Sequence, residues 1–206
     1  VAYQAREVST LSRDFIVTEP MMRSTAPAIL LGCEALRDAG AREEDVVVVT
    51  PSDHIVRDPD AFTHALEQAA QAAEAGYLAT LGIVPDRPDT GFGYIRKGAD
   101  RGAWSEVEAF VEKPNLETAR QYLQSGAYLW NGGVFVFTLG GLRRELEQAS
   151  PELAALTGQG AEALAEAFGA ISPISFDYAV MERARNVAVV PLDAGWSDVG
   201  SWDALH

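Results

Sequence analysis

Residues 46–54 are Val-Val-Val-Val-Thr-Pro-Ser-Asp-His, an unbroken apolar run that ends in a polar turn. A run that is apolar at every position predicts a strand buried on both faces, as in a parallel sheet covered by helices. A second apolar run, residues 187–192, ends in the acidic turn Asp-Ala-Gly-Trp-Ser-Asp at 193–198. Because open α/β sheets bind ligands beyond the carboxyl ends of their strands, the two turns are candidate parts of one site.

Helix-period segments alternate with these strand-like runs. Asp58 followed by Pro59 is typical of a helix start, and apolar residues recur at helical spacing from there to Gly76. Residues 91–97 and 106–112 alternate in the manner of antiparallel strands. The pattern predicts an α/β fold with a mixed, mostly parallel sheet and helices on both faces. Strands are predicted at 15–17, 46–50, 78–84, 91–97, 106–112, 128–138 and 187–192, and helices at 27–39, 59–76, 115–124, over most of 142–168, and from 175.

Composition narrows the possible partners. The 206 residues, 48% of them hydrophobic, are enough for one core, and we expect a single domain over residues 1–206. A formal net charge of -14 argues against nucleic acid as a partner and requires local donors for any phosphate-bearing ligand. No run approaches the ~20 apolar residues of a membrane span, so no membrane partner is expected. The single cysteine, Cys33, fits a reducing compartment, and we predict a cytoplasmic location.

Two acidic residues follow the two apolar runs. Asp53 comes after the first run and Asp198 closes the turn after the last one. Either residue alone could bind a metal, but a carboxylate that stabilises its own turn is the commoner case after a strand. Two carboxylates at the ends of two buried strands can share one hard cation, and each therefore strengthens the metal interpretation of the other.

Three further segments carry groups suited to a phosphorylated polyol, and each has a purely structural alternative. Thr90-Gly91-Phe92-Gly93-Tyr94 allows close approach of backbone N–H groups to a ligand, or forms a bulge. Glu112-Lys113-Pro114 offers a carboxylate for hydroxyl groups and an ammonium for phosphate, or a surface ion pair. Asn131-Gly132-Gly133 offers an amide at a backbone opening, or a strand bulge.

Taken in order, the segments resemble those of the bacterial mannose-1-phosphate guanylyltransferases, a family of nucleoside-diphosphate-sugar pyrophosphorylases. The resemblance covers nearly the whole chain and implies a Rossmann-like, GT-A type nucleotidyltransferase fold. Several ordered motifs carry it, namely residues 23–29 (Arg-Ser-Thr-Ala-Pro-Ala-Ile), 51–54 (Pro-Ser-Asp-His), 82–95, 110–114, 130–133 (Trp-Asn-Gly-Gly), 176–182 (Phe-Asp-Tyr-Ala-Val-Met-Glu) and 193–202.

This resemblance also implies a reaction. The mannose 1-phosphate oxygen attacks the α-phosphorus of GTP, which forms GDP-mannose and releases pyrophosphate. The implied roles are Mg²⁺ binding by Asp53 and Asp198, sugar-phosphate binding by Lys113, hydroxyl binding by Glu112 and Asn131, a sugar pocket lined by Gly91 and Tyr94, and proximity of Thr25 and Pro27 to guanine. The alternative is a non-catalytic, regulatory relative of the same fold that binds sugar nucleotides. A homo-oligomer is possible in either case.

The chain departs from the family at two places. The family opens with a strand and the loop Gly-Gly-x-Gly-Thr-Arg-Leu-x-Pro, whose N–H groups and basic side chains grip the triphosphate, and the sequence contains no such segment. The domain is therefore expected to be incomplete at its N-terminus. Ser24 stands where relatives usually carry Asn or Asp, which leaves base recognition open.

Overall fold

The computed structural model describes residues 16–199, in which helices pack on both faces of a six-stranded sheet. The strands are β1 Val46–Val49, β2 Leu78–Ile83, β3 Tyr94–Asp100, β4 Ser105–Val111, β5 Tyr128–Thr138 and β6 Val187–Leu192. The α-helices are α1 Thr25–Asp38, α2 Pro59–Glu74, α3 Leu116–Ser125, α4 Leu139–Ala149, α5 Pro151–Ala154 and α6 Ala161–Ala167. A 3₁₀ turn covers Phe168–Ala170 and a π-helix covers Asp177–Met181. Within residues 16–199, every helix falls short of the length and apolar character that a membrane crossing requires.

Side-chain caps fix where several helices begin. The Asp58 carboxylate accepts a hydrogen bond from the Ala61 N–H at 3.0 Å, and Pro59 occupies the first turn of α2. Asn115 caps α3 in the same way, accepting from the Thr118 N–H at 2.9 Å. Each cap satisfies an N–H that the helix itself leaves without a partner. The predicted starts of α2 and α3 are therefore confirmed to within two residues.

The prediction of a mostly parallel sheet is wrong. The strand order is β1-β5-β2-β6-β4-β3, and only β2 and β6 run parallel among the pairs in residues 16–199. The strands β1 and β2 do point the same way, as the helix between them predicts. However, β5 lies between them and runs antiparallel to both. The strand β3 also pairs with the first half of β5, so β5, β2, β6, β4 and β3 form a closed ring.

Apolar side chains alternate between the two faces of the sheet. On one face, small residues of α2 pack close to β2 and β5; they are Ala65, Ala69, Ala72 and Ala73. On the other face, Phe135 and Phe137 of β5 contact helices α1 and α4. The prediction of helices on both faces is therefore confirmed.

The strand β1 lies at the sheet edge and is not the doubly buried strand that its sequence predicts. Among residues 16–199 it pairs only with β5, and Val48 is 45% exposed. An apolar run specifies a strand but not its place in the sheet, because that place depends on which distant strand pairs beside it. Two further strand predictions differ from the structure. No strand forms at 16–17, residue 15 lying outside the described residues, and the strand predicted at 91–97 covers Tyr94–Asp100.

A bulge at Gly132 and Gly133 bends β5 in the middle. The pairing of β2 with β5 shifts between Thr80 and Gly82, which leaves extra residues on β5. Gly133 has a φ of 66°, which favours glycine, and a Cβ at Gly132 would lie 2.9 Å from the Leu81 carbonyl oxygen. The bend lets the first half of β5 pair with β3 and the second half with β1. It also places Asn131 where the two halves meet.

Ser24, the residue before α1, predicts a stabilising substitution. Its φ of 67° and ψ of -171° lie in a region used essentially by glycine alone, and its side chain makes no capping hydrogen bond. Releasing strain of ~1–3 kcal/mol outweighs the ~0.4–1 kcal/mol by which glycine favours the unfolded chain. We expect Ser24→Gly to raise the thermal midpoint by about 2–4 °C. As a control, Ser52→Gly, at an exposed serine without a positive φ, should give no gain; equal midpoints for the two variants would refute the strain.

Candidate active site

Two cavities meet beyond the carboxyl ends of β2, β4 and β6. The larger, of about 950 Å³, lies between the ends of β2 and β6 and the loop at residues 84–92. The smaller, of about 180 Å³, is lined by residues after β1 and β4 and by the bulge of β5. Four residues line both cavities: Gly91, Phe92, Trp196 and Asp198. The smaller cavity is lined by Asp198, Glu112, Lys113, Asn131 and Gly91 from among the residues that the sequence predicts for the site.

The turns that carry Asp53 and Asp198 are joined directly. The Ile55 N–H donates to the Ser197 carbonyl at 2.8 Å, and the Ser197 N–H donates back to Ile55 at 2.9 Å. The two turns therefore converge although β1 and β6 are not neighbours in the sheet. Asp198 is partly buried and lines both cavities, whereas Asp53 is exposed and lines neither.

The two carboxylates on these turns suit magnesium better than a metal ion that takes all of its ligands from the protein. No group of three or more His, Cys, Asp or Glu residues is arranged to hold an ion within residues 16–199. Two carboxylates on adjoining turns suit Mg²⁺, which keeps several waters and binds through one or two carboxylates and substrate phosphates. Binding of Mg²⁺ by Asp53 and Asp198 stays a prediction.

Glu112 and Lys113 lie where β4 ends, and both line the smaller cavity. Their side chains form an ion pair with 3.5 Å between Lys113 Nζ and Glu112 Oε1. The Glu112 side chain is only 13% exposed, whereas that of Lys113 is 62% exposed. The ammonium is thus accessible to a phosphate from solvent, and the carboxylate is held in the wall.

Negative charge accumulates beside Glu112. Burial raises the pKa of Glu112, and the neighbouring Asp177 carboxylate raises it further, while Lys113 acts in the opposite direction. Burial also raises the pKa of Asp177. Burial raises the pKa of Glu182, with Glu112 and Asp177 adding to the effect. Of the three carboxylates only Glu112 lines the smaller cavity, and an ionised carboxylate in such surroundings is a good acceptor for the hydroxyl groups of a polyol whose phosphate lies at Lys113.

Asn131 is held by three hydrogen bonds. Its Nδ2 donates to Asp177 Oδ1 at 2.7 Å, and its Oδ1 accepts from Thr80 Oγ1 and from the Gly133 N–H, both at 3.2 Å. The sequence predicted Asn131 as a site residue, and the structure places it in the wall of the smaller cavity. Sequence reasoning assigned no role to Asp177. The signal available was its position beside the aromatic Phe176 at the start of a short helix.

Gly91 and Tyr94 differ in their relation to the cavities. Gly91 lines both, but its N–H already donates to Asp89 Oδ1 at 2.8 Å. Tyr94 lines neither; its side chain is fully buried and its hydroxyl donates to the Asp89 carbonyl at 2.9 Å. Tyr94 therefore supports the loop from behind, and its contact with a sugar stays a prediction.

Gly93 is a site residue that the sequence did not single out. Its backbone lies so close to Glu112 that a Cβ at this position would overlap Glu112 Oε2. Only glycine admits the carboxylate at this distance from the loop. The two-glycine pattern at 91–93 signalled a close approach but could not show that the second glycine faces Glu112.

Thr25 and Pro27 line neither cavity. Thr25 Oγ1 accepts a hydrogen bond from the Phe176 N–H at 2.8 Å, and Pro27 is buried in α1. The pair therefore lies against the segment that leads to Asp177. Their proximity to guanine stays a prediction.

An aromatic wall separates the two cavities. The ring of Phe92 lies 5.0 Å from that of Trp130 and 5.5 Å from that of Trp196. The Arg87 guanidinium lies 5.0 Å from the centre of the Trp130 ring, a cation–π distance. Trp196 Nε1 also donates to His54 Nδ1 at 3.2 Å, so His54 serves to order the turn.

Strained backbone coincides with the candidate residues. Among residues 16–199, the non-glycine residues with positive φ are Ser24, Lys113 and Val199. One is itself a predicted phosphate ligand, and the other two directly adjoin Thr25 and Asp198. Such conformations cost roughly 1–3 kcal/mol each and cluster at functional sites.

Comparison with known proteins agrees with this geometry. Residues 4–206 match the model of the nucleotidyl transferase family. The chain belongs to this family. The mixed α/β sheet with covering helices is thus a nucleotidyltransferase domain, as the resemblance implied.

The chain is also similar to individual proteins of known name or structure. The chain is 44% identical over 221 residues to the mannose-1-phosphate guanylyltransferase of Escherichia coli K12, covering 100% of the chain and 46% of that relative. A crystal structure from Thermus thermophilus, described as a mannose-1-phosphate geranyltransferase, aligns with a TM-score of 0.87 and 38% identity over 98% of this chain and 59% of that one. A structure from Helicobacter pylori, described as a mannose-6-phosphate isomerase, aligns with a TM-score of 0.74 and 30% identity over 87% of this chain and 72% of that one. The chain spans less than half the length of the curated relatives it matches.

The raised pKa of Glu112 predicts a pH-dependent gain in stability for Glu112→Gln. A buried acid with a raised pKa destabilises the folded state when it is ionised, and this cost vanishes once both states are protonated. Replacement by neutral glutamine should raise the thermal midpoint by a few degrees at neutral pH and by nearly nothing at about pH 4. Differential scanning calorimetry across this range measures the difference.

The matched control for this prediction is Glu166→Gln, at an exposed carboxylate of α6. It should shift the midpoint little at any pH. A Glu112→Gln midpoint below that of the unaltered protein at neutral pH would contradict the charge balance described for this wall.

Proposed function

We propose that the chain is the nucleotidyltransferase domain of a mannose-1-phosphate guanylyltransferase, which converts GTP and mannose 1-phosphate to GDP-mannose and pyrophosphate. The observation that carries the proposal is the meeting of the Asp53 and Asp198 turns, through Ile55 and Ser197, beside a cavity lined by Glu112 and Lys113. The names of the relatives support the choice of sugar and base. A Rossmann-like, GT-A type architecture and a single domain over residues 1–206 belong to the same proposal.

The chain's own residues account for how the sugar phosphate is held. The exposed Lys113 ammonium binds the phosphate as a compact charge. The Glu112 carboxylate accepts from sugar hydroxyls, and Asn131 supplies an amide in the same wall. Together they fix the sugar phosphate so that one of its oxygens can approach an α-phosphorus in line, which is the main protein contribution that such a displacement needs.

The phosphates of both substrates meet at Asp198. Asp198 lies at the junction of the two cavities, and Asp53 lies on the adjoining turn. When bound by these carboxylates, Mg²⁺ would neutralise charge on the phosphates and orient them. Phe92 and Trp196 border the same junction. A cytoplasmic location and a homo-oligomeric state remain predictions from the sequence.

The test of the proposed reaction is a coupled assay for pyrophosphate. The protein, expressed from its complete coding sequence, is supplied with GTP, mannose 1-phosphate and Mg²⁺, and GDP-mannose is identified by chromatography. Product that depends on both substrates is expected. GDP-mannose binding by calorimetry without any turnover would favour the non-catalytic alternative, and neither binding nor turnover would refute both.

Asp198→Asn should lower kcat far more than it weakens binding of the sugar phosphate. A metal-binding carboxylate acts chiefly on charge that develops on the phosphates, so we expect kcat to fall by about 100-fold or more. The mannose 1-phosphate dissociation constant, measured by calorimetry without GTP, should change by less than about threefold. Asp60→Asn, at an exposed carboxylate in the first turn of α2, is the control and should retain full activity. Equal losses in kcat and binding would indicate that Asp198 only shapes its turn.

A further inference from the structure

We propose that Asp177 is a positioning residue for the sugar, and that it acts by fixing the amide of Asn131 as a hydrogen-bond donor toward the smaller cavity. The inference rests on the proposed function, because it assigns a role within the binding of the sugar phosphate. It starts from the 2.7 Å hydrogen bond from Asn131 Nδ2 to Asp177 Oδ1. Asn131 lines the smaller cavity and Asp177 does not. Asp177 can therefore reach a ligand there in two ways, through its hydrogen bond to Asn131 and through its charge beside Glu112, and the hydrogen bond is the route proposed here.

The hydrogen-bond donors and acceptors of the Asn131 amide determine what it can bind. The amide has two N–H donors and an oxygen with two lone pairs. The oxygen accepts from Thr80 Oγ1 and the Gly133 N–H, and one N–H is taken by Asp177. One N–H remains for a ligand. The site therefore presents a donor at this position, and it selects a hydroxyl that accepts from Asn131.

Asp177 decides which way the amide faces. The Thr80 hydroxyl has a single hydrogen and also lies 2.9 Å from the Val134 carbonyl oxygen, so its bond to Asn131 is shared. The bond from the Gly133 N–H is longer, at 3.2 Å, and joins neutral groups. The bond to Asp177 is the shortest of the set and is charge-assisted, and an ionised carboxylate can only accept. A reversed amide would set its oxygen against that carboxylate.

The backbone around Asp177 is anchored on both sides. Phe176 is fully buried with its ring 4.9 Å from that of Phe135, and its N–H donates to Thr25 Oγ1 at 2.8 Å. On the other side, the Glu182 N–H donates to the Asp177 carbonyl at 2.9 Å, which closes a π turn. Single π turns occur frequently at functional sites. The carboxylate therefore has little freedom to follow Asn131 if the amide moves.

Asp177 lowers the stability of the folded state, which argues against a purely structural role. Burial raises its pKa, and it lies near the carboxylates of Glu112 and Glu182. An ionised group in such surroundings destabilises the folded state relative to a neutral one of the same shape. A residue that costs stability yet orients a cavity side chain should affect binding and stability in opposite directions.

The test uses Asp177→Leu, which removes the acceptor, and Asp177→Asn, which keeps the shape but allows either amide orientation. We expect the KM for mannose 1-phosphate to rise about tenfold in Asp177→Leu and about threefold in Asp177→Asn, with kcat and the KM for GTP within about twofold of the unaltered values. The thermal midpoint of Asp177→Asn should equal or exceed that of the unaltered protein. Asp177→Asn keeps the test valid if Asp177→Leu does not fold.

The double variants decide whether Asp177 acts through Asn131. In an Asn131→Ala background, either change at Asp177 should alter the KM for mannose 1-phosphate by less than about twofold, because the amide it orients is gone. Additive effects in the double variants would overturn the proposal. So would an equal rise in the KM for GTP, or a lower midpoint for Asp177→Asn.

Glu34→Gln is the matched control. Glu34 is a buried carboxylate that accepts from the Gly158 N–H at 2.9 Å, and neither residue lines a cavity. It should lower the midpoint and leave both KM values unchanged. Calorimetric titration with mannose 1-phosphate separates a failure of the proposed function from a failure of the role of Asp177. If the unaltered protein neither binds the sugar phosphate nor forms GDP-mannose, the proposed function fails. If it does both and the Asp177 variants match it, only the role of Asp177 fails.

Discussion

The site depends on the hydrogen bonds that join two turns, and the most direct of them are the reciprocal backbone bonds between Ile55 and Ser197. The strands that precede these residues, β1 and β6, are separated in the sheet by β5 and β2. The Arg57 and Asp58 N–H groups, which donate to the Ala194 carbonyl, and the Trp196 ring, which donates to His54, join the same turns. Without this set of hydrogen bonds, Asp53 and Asp198 would have no fixed relation. Backbone hydrogen bonds form irrespective of the side chain, so the residue types at 55 and 197 could not predict the contact.

The rest of the site is arranged around glycine and strained backbone. Gly93 lets the loop approach the Glu112 carboxylate, and Gly133 lets β5 turn so that Asn131 reaches the same cavity. Lys113 adopts a φ of 46° at the end of β4 without being glycine. These conformations and the buried carboxylates cost stability, and the apolar side chains buried on the two faces of the sheet offset that cost.

Local sequence patterns were sufficient for the elements and insufficient for their arrangement. Asp58, Asn115 and the alternation in 106–112 predicted helix starts and an antiparallel strand because capping and burial alternation depend on neighbours along the chain. The antiparallel insertion of β5 between β1 and β2 depends on pairing between residues about 90 positions apart, such as Val46 with Thr138, and no local signal encodes it. For the same reason Asn131 could be selected as a candidate while its partner Asp177 could not. The resemblance supplied residue roles that periodicity alone left open.

The position of β6 has a consequence for how the chain folds as it is synthesised. Among residues 16–199 it is the last strand, and it pairs on one side with β2 and on the other with β4, so it joins two strands that precede it in the chain. Until β6 has been synthesised, the edges of β2 and β4 that it joins stay unpaired. Unpaired strand edges recruit other chains when they are exposed, and the addition of β6 removes two of them at once.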